Sequence, residues 1–179
     1  MNKSIEKILV DIIKHELKLP DNYGKTSRGD VIPSVIIYAQ NIKLFNTDRL
    51  QITVRTGNFK TFANISEVRE IENKFYEIQN LNQSCIVQID CYSKNNEAVS
   101  RHWEIITAMN SVYAQQQMDL YNFKLGIIGN TVNNSGIDGG SDINRYTITY
   151  NALIHNQKNT EIEYYDKFGM TSETEQGKF

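Results

Sequence analysis

"SCIVQIDCYSKNNEAVSRHWEII", residues 84–106, holds two periods in one stretch. In the first part Cys85, Val87, Ile89 and Cys91 fall on one side of an extended chain and Gln88, Asp90 and Tyr92 on the other, with Ile86 the one apolar exception on the second side. A period of two is that of a strand with one face buried. After the turn residues Asn95 and Asn96 the period becomes helical and continues as EAVSRHWEIITAMNSVYAQQQ. Val99, Trp103, Ile106, Asn110 and Tyr113 trace one stripe, and Ala98, Ile105, Met109 and Val112 a neighbouring one. Glu97 and Arg101 stand at i,i+4, a spacing that supports the exposed side. A strand feeding a helix that lies over the sheet predicts an α+β domain. Trp103, in the most apolar stripe, is the expected core anchor between the two layers.

Similar patterns recur on both sides. In LQITVRT, Leu50, Ile52 and Val54 alternate with Gln51, Thr53 and Arg55. From Arg145, Tyr146, Ile148, Tyr150, Ala152 and Ile154 alternate with Thr147, Thr149, Asn151 and Leu153, the longest strand signal in the chain. The run VIPSVIIYAQN contains Pro33, which cannot donate to a central ladder, so it reads as an edge strand or an extended arm. Residues 65–79 stay open between two readings: Val68, Ile71, Phe75 and Ile78 suit a helix, yet the β-branched and aromatic content suits a strand. At the N-terminus Ile5, Ile8, Leu9, Ile12 and Leu17 follow helical spacing and Pro20 closes the segment, giving an amphipathic helix within residues 1–20 whose apolar stripe is expected to cover the sheet. Residues 21–30 read as a mobile polar connector, and residues 169–179 as a frayed acidic tail outside a single domain of residues 1–168.

With 179 residues the chain suits one domain, and 40% hydrophobic residues suffice for a core. A formal net charge of −2 gives no general attraction to nucleic acid or anionic membranes, so the expected partner is protein. Cys85 and Cys91 point the same way from one strand about 20 Å apart, too far to bridge each other. No CxxC and no histidine at zinc spacing accompanies them, so they are read as small buried apolar residues in a reducing compartment. The opening MNKSIEKILVDIIKHELKLP has no signal-peptide core, and nothing approaches a membrane span, so a soluble intracellular product is expected.

Catalytic, cofactor and metal residues are not found. His15, His102 and His155 have no fitting companions, and His102, Trp103 and Glu104 diverge by about 100° per residue around a helix. Tyr164, Glu163 and Asp166 in IEYYDKF read as a polar edge. The segment SGIDGGSD, residues 135–142, lacks the residue order of an EF-hand, and its aspartates would repel a phosphate. It reads as a long flexible loop kept for docking onto another subunit, with Gly136, Asp138, Gly139, Gly140 and Asp142 as contact residues beside Arg145.

Over residues 31–168 the order of segments resembles the neck or tail terminator proteins of tailed bacteriophages, also called tail completion proteins. The resemblance runs through the extended apolar strand, LQITVRTG, a strand pair, VQIDCYSKNNEA leading into the helix, LGIIGNTV, and NRYTITYNALI opened by Arg145. It implies strand pairing for residues 65–79 and a mainly antiparallel sheet covered by the amphipathic helix and the N-terminal helix. It further implies a homo-oligomeric ring, expected to be a hexamer, at the head-proximal end of the tail. Such a ring stops tail-tube growth and meets the tail tube protein and the head–tail connector. DNA would pass through without specific contact, no cofactor is implied, and the location is the virion, reached from the host cytoplasm. Polar strand positions such as Thr53, Arg55, Gln88, Asp90 and Thr147 suit a wet subunit interface. Two other classes stand beside this one: a small enzyme, which would need a convergent pocket, and a cytosolic adaptor binding a peptide along the Pro33 edge.

Overall fold

The computed structural model describes residues 3–37, 48–138 and 141–162. Their elements are α1 (Ile5–Leu17), β1 (Asn22–Lys25), β2 (Val31–Pro33), β3 (Val35–Ile37), β4 (Gln51–Thr56), β5 (Lys60–Ile71), β6 (Lys74–Ser93), α2 (Glu97–Met109), α3 (Val112–Leu120), β7 (Phe123–Asn133), β8 (Gly136–Asp138) and β9 (Ser141–Ile162). The fold is α+β with a mostly antiparallel sheet of order β3-β4-β6-β9-β7. Among the described strands only β3 and β4 run parallel. The short β3 lies at the sheet edge, and Pro33 ends β2 in a hairpin, as a residue without an N–H requires.

The alternation of residues 85–91 becomes burial because β6 is central. Cys85, Val87, Ile89 and Cys91 lie opposite Ala152, Tyr150, Ile148 and Tyr146 of β9, while Ile52 and Val54 of β4 flank Cys91 and Ile89 on the other side. These residues share one core with the buried stripes of the three helices. In α1 the stripe is Ile8, Leu9, Ile12, Ile13 and Leu17, and α1 covers the sheet as its pattern predicts. Ser4 caps it by accepting from the Lys7 N–H, and Lys18 ends it in the left-handed conformation at φ 50°.

The long helix of the sequence reading is two. Asn110 closes α2, and Ser111 opens α3 by accepting from the Ala114 N–H at 3.0 Å, so a second helix starts there. The buried stripe is also the other one: Ala98, Ile105, Ala108 and Met109 face the sheet. Trp103 is therefore not a core anchor. It is 56% exposed, and its indole N–H donates to the Ser100 carbonyl at 2.7 Å. The physical reason is size, since Ala98 and Ala108 let α2 approach the sheet closely and a stripe led by Val99 and Trp103 would hold it off.

Two segments read as loops are hairpins. Residues 21–30 belong to the β1–β2 pair, tied to the body where the Tyr23 hydroxyl donates to the Leu50 carbonyl at 2.7 Å. Residues 136–138 are paired as well: β8 lies antiparallel to the start of β9, Gly136 opposite Ile143 and Asp138 opposite Ser141, so the strand begins at Ser141, before Arg145. Residues 65–79 are strands, as the resemblance implies, but two of them. Glu72 and Asn73, with φ of 53° and 62°, form a two-residue turn between β5 and β6.

Candidate assembly surface

The helices cover one face of the sheet, and among the described residues none covers the other. That second face divides into two zones along the strands, one buried and one exposed. In the first, Thr53, Asp90 and Thr147 are neighbours across β4, β6 and β9, and Gln51, Tyr92 and Arg145 form the next row. Thr53, Asp90 and Thr147, expected at an exposed interface, are buried instead.

Burial of a carboxylate requires compensation, and Asp90 has it. Oδ1 accepts from the Thr147 hydroxyl at 2.5 Å and from Gln88 Nε2 at 3.0 Å, while Oδ2 meets Arg145 Nη2 at 3.1 Å. The network extends outward as Arg55 Nη2 donates to Gln88 Oε1 at 2.5 Å and Asn134 Nδ2 donates to the Thr147 hydroxyl oxygen at 2.8 Å. Alternate residues of three strands and the β7 end are thereby locked in register. Beside it the Tyr92 hydroxyl, Arg145 Nε and Gln51 Oε1 are buried without a hydrogen-bond partner. Burial holds the Tyr92 phenol well above its usual range, and the Arg145 charge opposes that only in part.

The second zone is exposed. Ile86, the apolar exception of the alternation, is 60% exposed there, and Leu153 lies diagonally across on β9, since Ile86 pairs with Asn151 and Ser84 with Leu153. Phe62, the extra residue of a bulge in β5, is exposed at the rim of a cleft of about 350 Å³ shared with Asn82, Phe123, Leu153 and His155. His155 is held in that cleft by a contact of 2.8 Å between Nδ1 and Asn82 Oδ1.

On the outer side of the helices Trp103 and Val99 are exposed on α2, and Val112 and Leu120 on α3. Arg101 bridges Glu97 at 3.0 Å and Glu104 at 2.8 Å, so the expected Glu97–Arg101 pair is part of a triad. His102 stacks on Tyr146 with ring centroids 4.2 Å apart, and His15 stacks on Tyr113 at 3.9 Å. These histidines pack between elements.

A third surface is an arm. β5, the first half of β6 and the last half of β9 continue beyond the helix-covered body as three strands, from Ser84 paired with Lys60 to the Glu72–Asn73 tip. Ile65 and Val68 are exposed on it.

The two cysteines are free and buried, and burial pushes the Cys91 thiol up to about 12, so it is protonated at neutral pH. Among the described residues no cluster of three or more His, Cys, Asp or Glu could hold a metal ion, and no helix is long and apolar enough to cross a membrane. Of the predicted contact residues, Gly136 and Asp138 lie in β8 and Asp142 is the second residue of β9, while Arg145 reaches into the buried network. Gly139, Gly140, the segment containing Glu163, Tyr164 and Asp166, and residues 169–179 lie outside the described residues. The structure brings Arg55, Gln88, Asp90, Thr147 and Arg145 together and leaves Trp103 on the opposite side of the molecule. Ile86 was the readable signal for the open face, an apolar residue on the polar side of a strand. No protein-family model matches the chain, and no curated protein matches it.

Proposed function

We propose that the chain is a structural ring subunit, a tail terminator that caps the head-proximal end of a phage tail tube and joins it to the head connector. The observation that supports this best is a two-layer body with exposed apolar residues on both outer sides, Trp103 and Val99 on one and Ile86 and Leu153 on the other. A subunit that meets a neighbour on each side needs two different faces, because ring contacts are heterologous and close by rotation. The arm adds a projecting surface for the tube or the connector, and DNA is carried through the ring without sequence-specific contact. A hexamer is the ring size that the sequence resemblance implies.

The test is phage produced without this protein, or with residues 135–142 shortened to a two-residue turn. Tails of uncontrolled length, or full heads and tails left unjoined, are expected in electron micrographs of the deletion. Infectious particles of normal morphology in its absence would refute the terminator reading.

A further inference from the structure

On one side the arm ends in β5, and among the described residues β5 pairs with β6 alone. Every residue of β5 except Ala63 and Glu67 is exposed, Ile65, Val68 and Ile71 among them. The arm's other edge, the last half of β9, has no large apolar side chain between Asn156 and Glu161. A long exposed edge that carries apolar side chains is a template for a further strand. We propose that β5 pairs antiparallel with β5 of a second copy about a two-fold axis through Val68, which joins the two arms into one continuous sheet. The contact is isologous and does not rest on the ring reading above, whose contacts are heterologous.

The ladder fixes which backbone groups of β5 point away from β6. Ile71 and Lys74 close the two-residue turn and so form a hydrogen-bonded pair, and such pairs alternate along an antiparallel ladder. Arg69, Glu67 and Ile65, opposite Tyr76, Ile78 and Asn80, therefore bond inward to β6, and Ser66, Val68 and Glu70 turn their N–H and C=O groups outward. With the axis at Val68, those outward residues meet Glu70, Val68 and Ser66 of the second copy, and each pair exchanges two hydrogen bonds.

Side-chain complementarity selects a second copy and this register. Within one chain Arg69 Nη2 lies 2.7 Å from Glu67 Oε1 on one side of the strand. In the pair, Glu67 stands opposite Arg69 of the second copy and Arg69 opposite its Glu67, so four charges of alternating sign form a square. Ile65 meets Ile71 on either flank of that square, and Val68 meets Val68 on the other side of the sheet. A slip by one residue sets outward backbone groups against inward ones. A slip by two sets Glu67 against Glu67 in one direction and Arg69 against Arg69 in the other. Larger slips run into the bulge at Phe62 or past the tip at Glu72.

Size sets the strength. Residues 65–71 at about 3.4 Å each, in a sheet about 10 Å thick, give about 240 Å² per partner, well below the roughly 800 Å² of a standard stable interface. The dimer is therefore weak, absent when the chain is dilute and present when it is concentrated. Sedimentation velocity of the purified full chain at rising concentration measures it. Glu67→Arg and Arg69→Glu, each with unchanged circular dichroism, should weaken dimerisation by about 10-fold or more, because two cross-strand charge pairs become repulsive at once.

The deciding measurement mixes the two variants. One copy then carries both cations of the square and the other both carboxylates, so the mixture should form one-to-one dimers that neither variant forms alone. Register is read by cross-linking under mild oxidation, with the native Cys85 and Cys91 buried out of reach. Val68→Cys should link two copies, because a hydrogen-bonded pair holds its Cα atoms about 5.5 Å apart, within the span of a disulfide. Ile65→Cys, which faces Ile71 of the second copy, should not. No dimer in the mixture, a link through Ile65→Cys and none through Val68→Cys, or a wild-type chain that stays monomeric at millimolar concentration would each overturn the proposal.

Discussion

β6 and β9 each pass through two environments. In the body Val87, Ile89 and Cys91 of β6 and Ile148, Tyr150 and Ala152 of β9 are buried beneath the helices. In the arm the same ladder continues from Leu81 opposite Asn156 to Phe75 opposite Ile162, yet Ile78 alone among the arm residues of β6 is fully buried. Backbone pairing is alike in the two halves; side-chain burial is not. The arm depends on cross-strand polar pairs such as Ser66 to Glu77 at 2.7 Å and Lys74 to Glu161 at 2.9 Å, contacts that contribute little each at a wet surface. What the comparison teaches is that the body organises the arm, because strand pairing in water is marginal without a packed face. Charges on the outer strand, including Lys60, Glu67, Arg69 and Glu70, guard that edge against indiscriminate pairing.

The comparison can be broken most directly by matched truncations. Ile89→Ala, at a fully buried site in the body, should cost about 2–5 kcal/mol, and Val68→Ala on the arm should stay within about 0.5 kcal/mol. Urea midpoints measure both, and equal shifts would show that the arm carries a packed face after all. A smaller effect is expected on the open side of the body. Asp90→Ala removes the acceptor shared by Thr147, Gln88 and Arg145 and should cost about 1–3 kcal/mol, again read from urea unfolding.

The smallest effect sharpens the arm side. Hydrogen bonds from Gln79 and then Ser66 hold the Glu77 carboxyl below its usual range. A group whose pKa is lower folded than unfolded adds stability above its unfolded value, and that stability is lost as pH falls through the folded one. NMR titration should therefore place Glu77 below an ordinary exposed glutamate, with Gln79→Ala moving it back further than Ser66→Ala. An unmoved Glu77 in both variants would mean that the arm pairs are not held in solution.

The body was legible because its strands alternate: residues 85–91 and 145–154 could be assigned to strand and to a buried face by counting. The arm was not, since Val68, Ile71, Phe75 and Ile78 imitate helical spacing while straddling a turn made by Glu72 and Asn73, neither of them glycine. The helix stripe was misjudged because apolarity favoured Val99 and Trp103, whereas close packing favoured Ala98 and Ala108. Ser111 between two apolar runs was the available sign that the helix restarts. On the open face, alternation marked Thr53, Asp90 and Thr147 as polar but could not show that they satisfy one another in a buried network, which depends on the register of three separate strands.

The unbroken β6–β9 ladder, from Phe75 opposite Ile162 to Ser93 opposite Asn144, also has a mechanical meaning. A pull along the arm loads its rungs in shear, so that many must give way together, whereas a pull across the strands unzips them singly from the tip. Tension directed along β6 is passed through the same covalent strand to Ile89 and Cys91 beneath the helices, and the arm acts as a stiff lever rooted in the core.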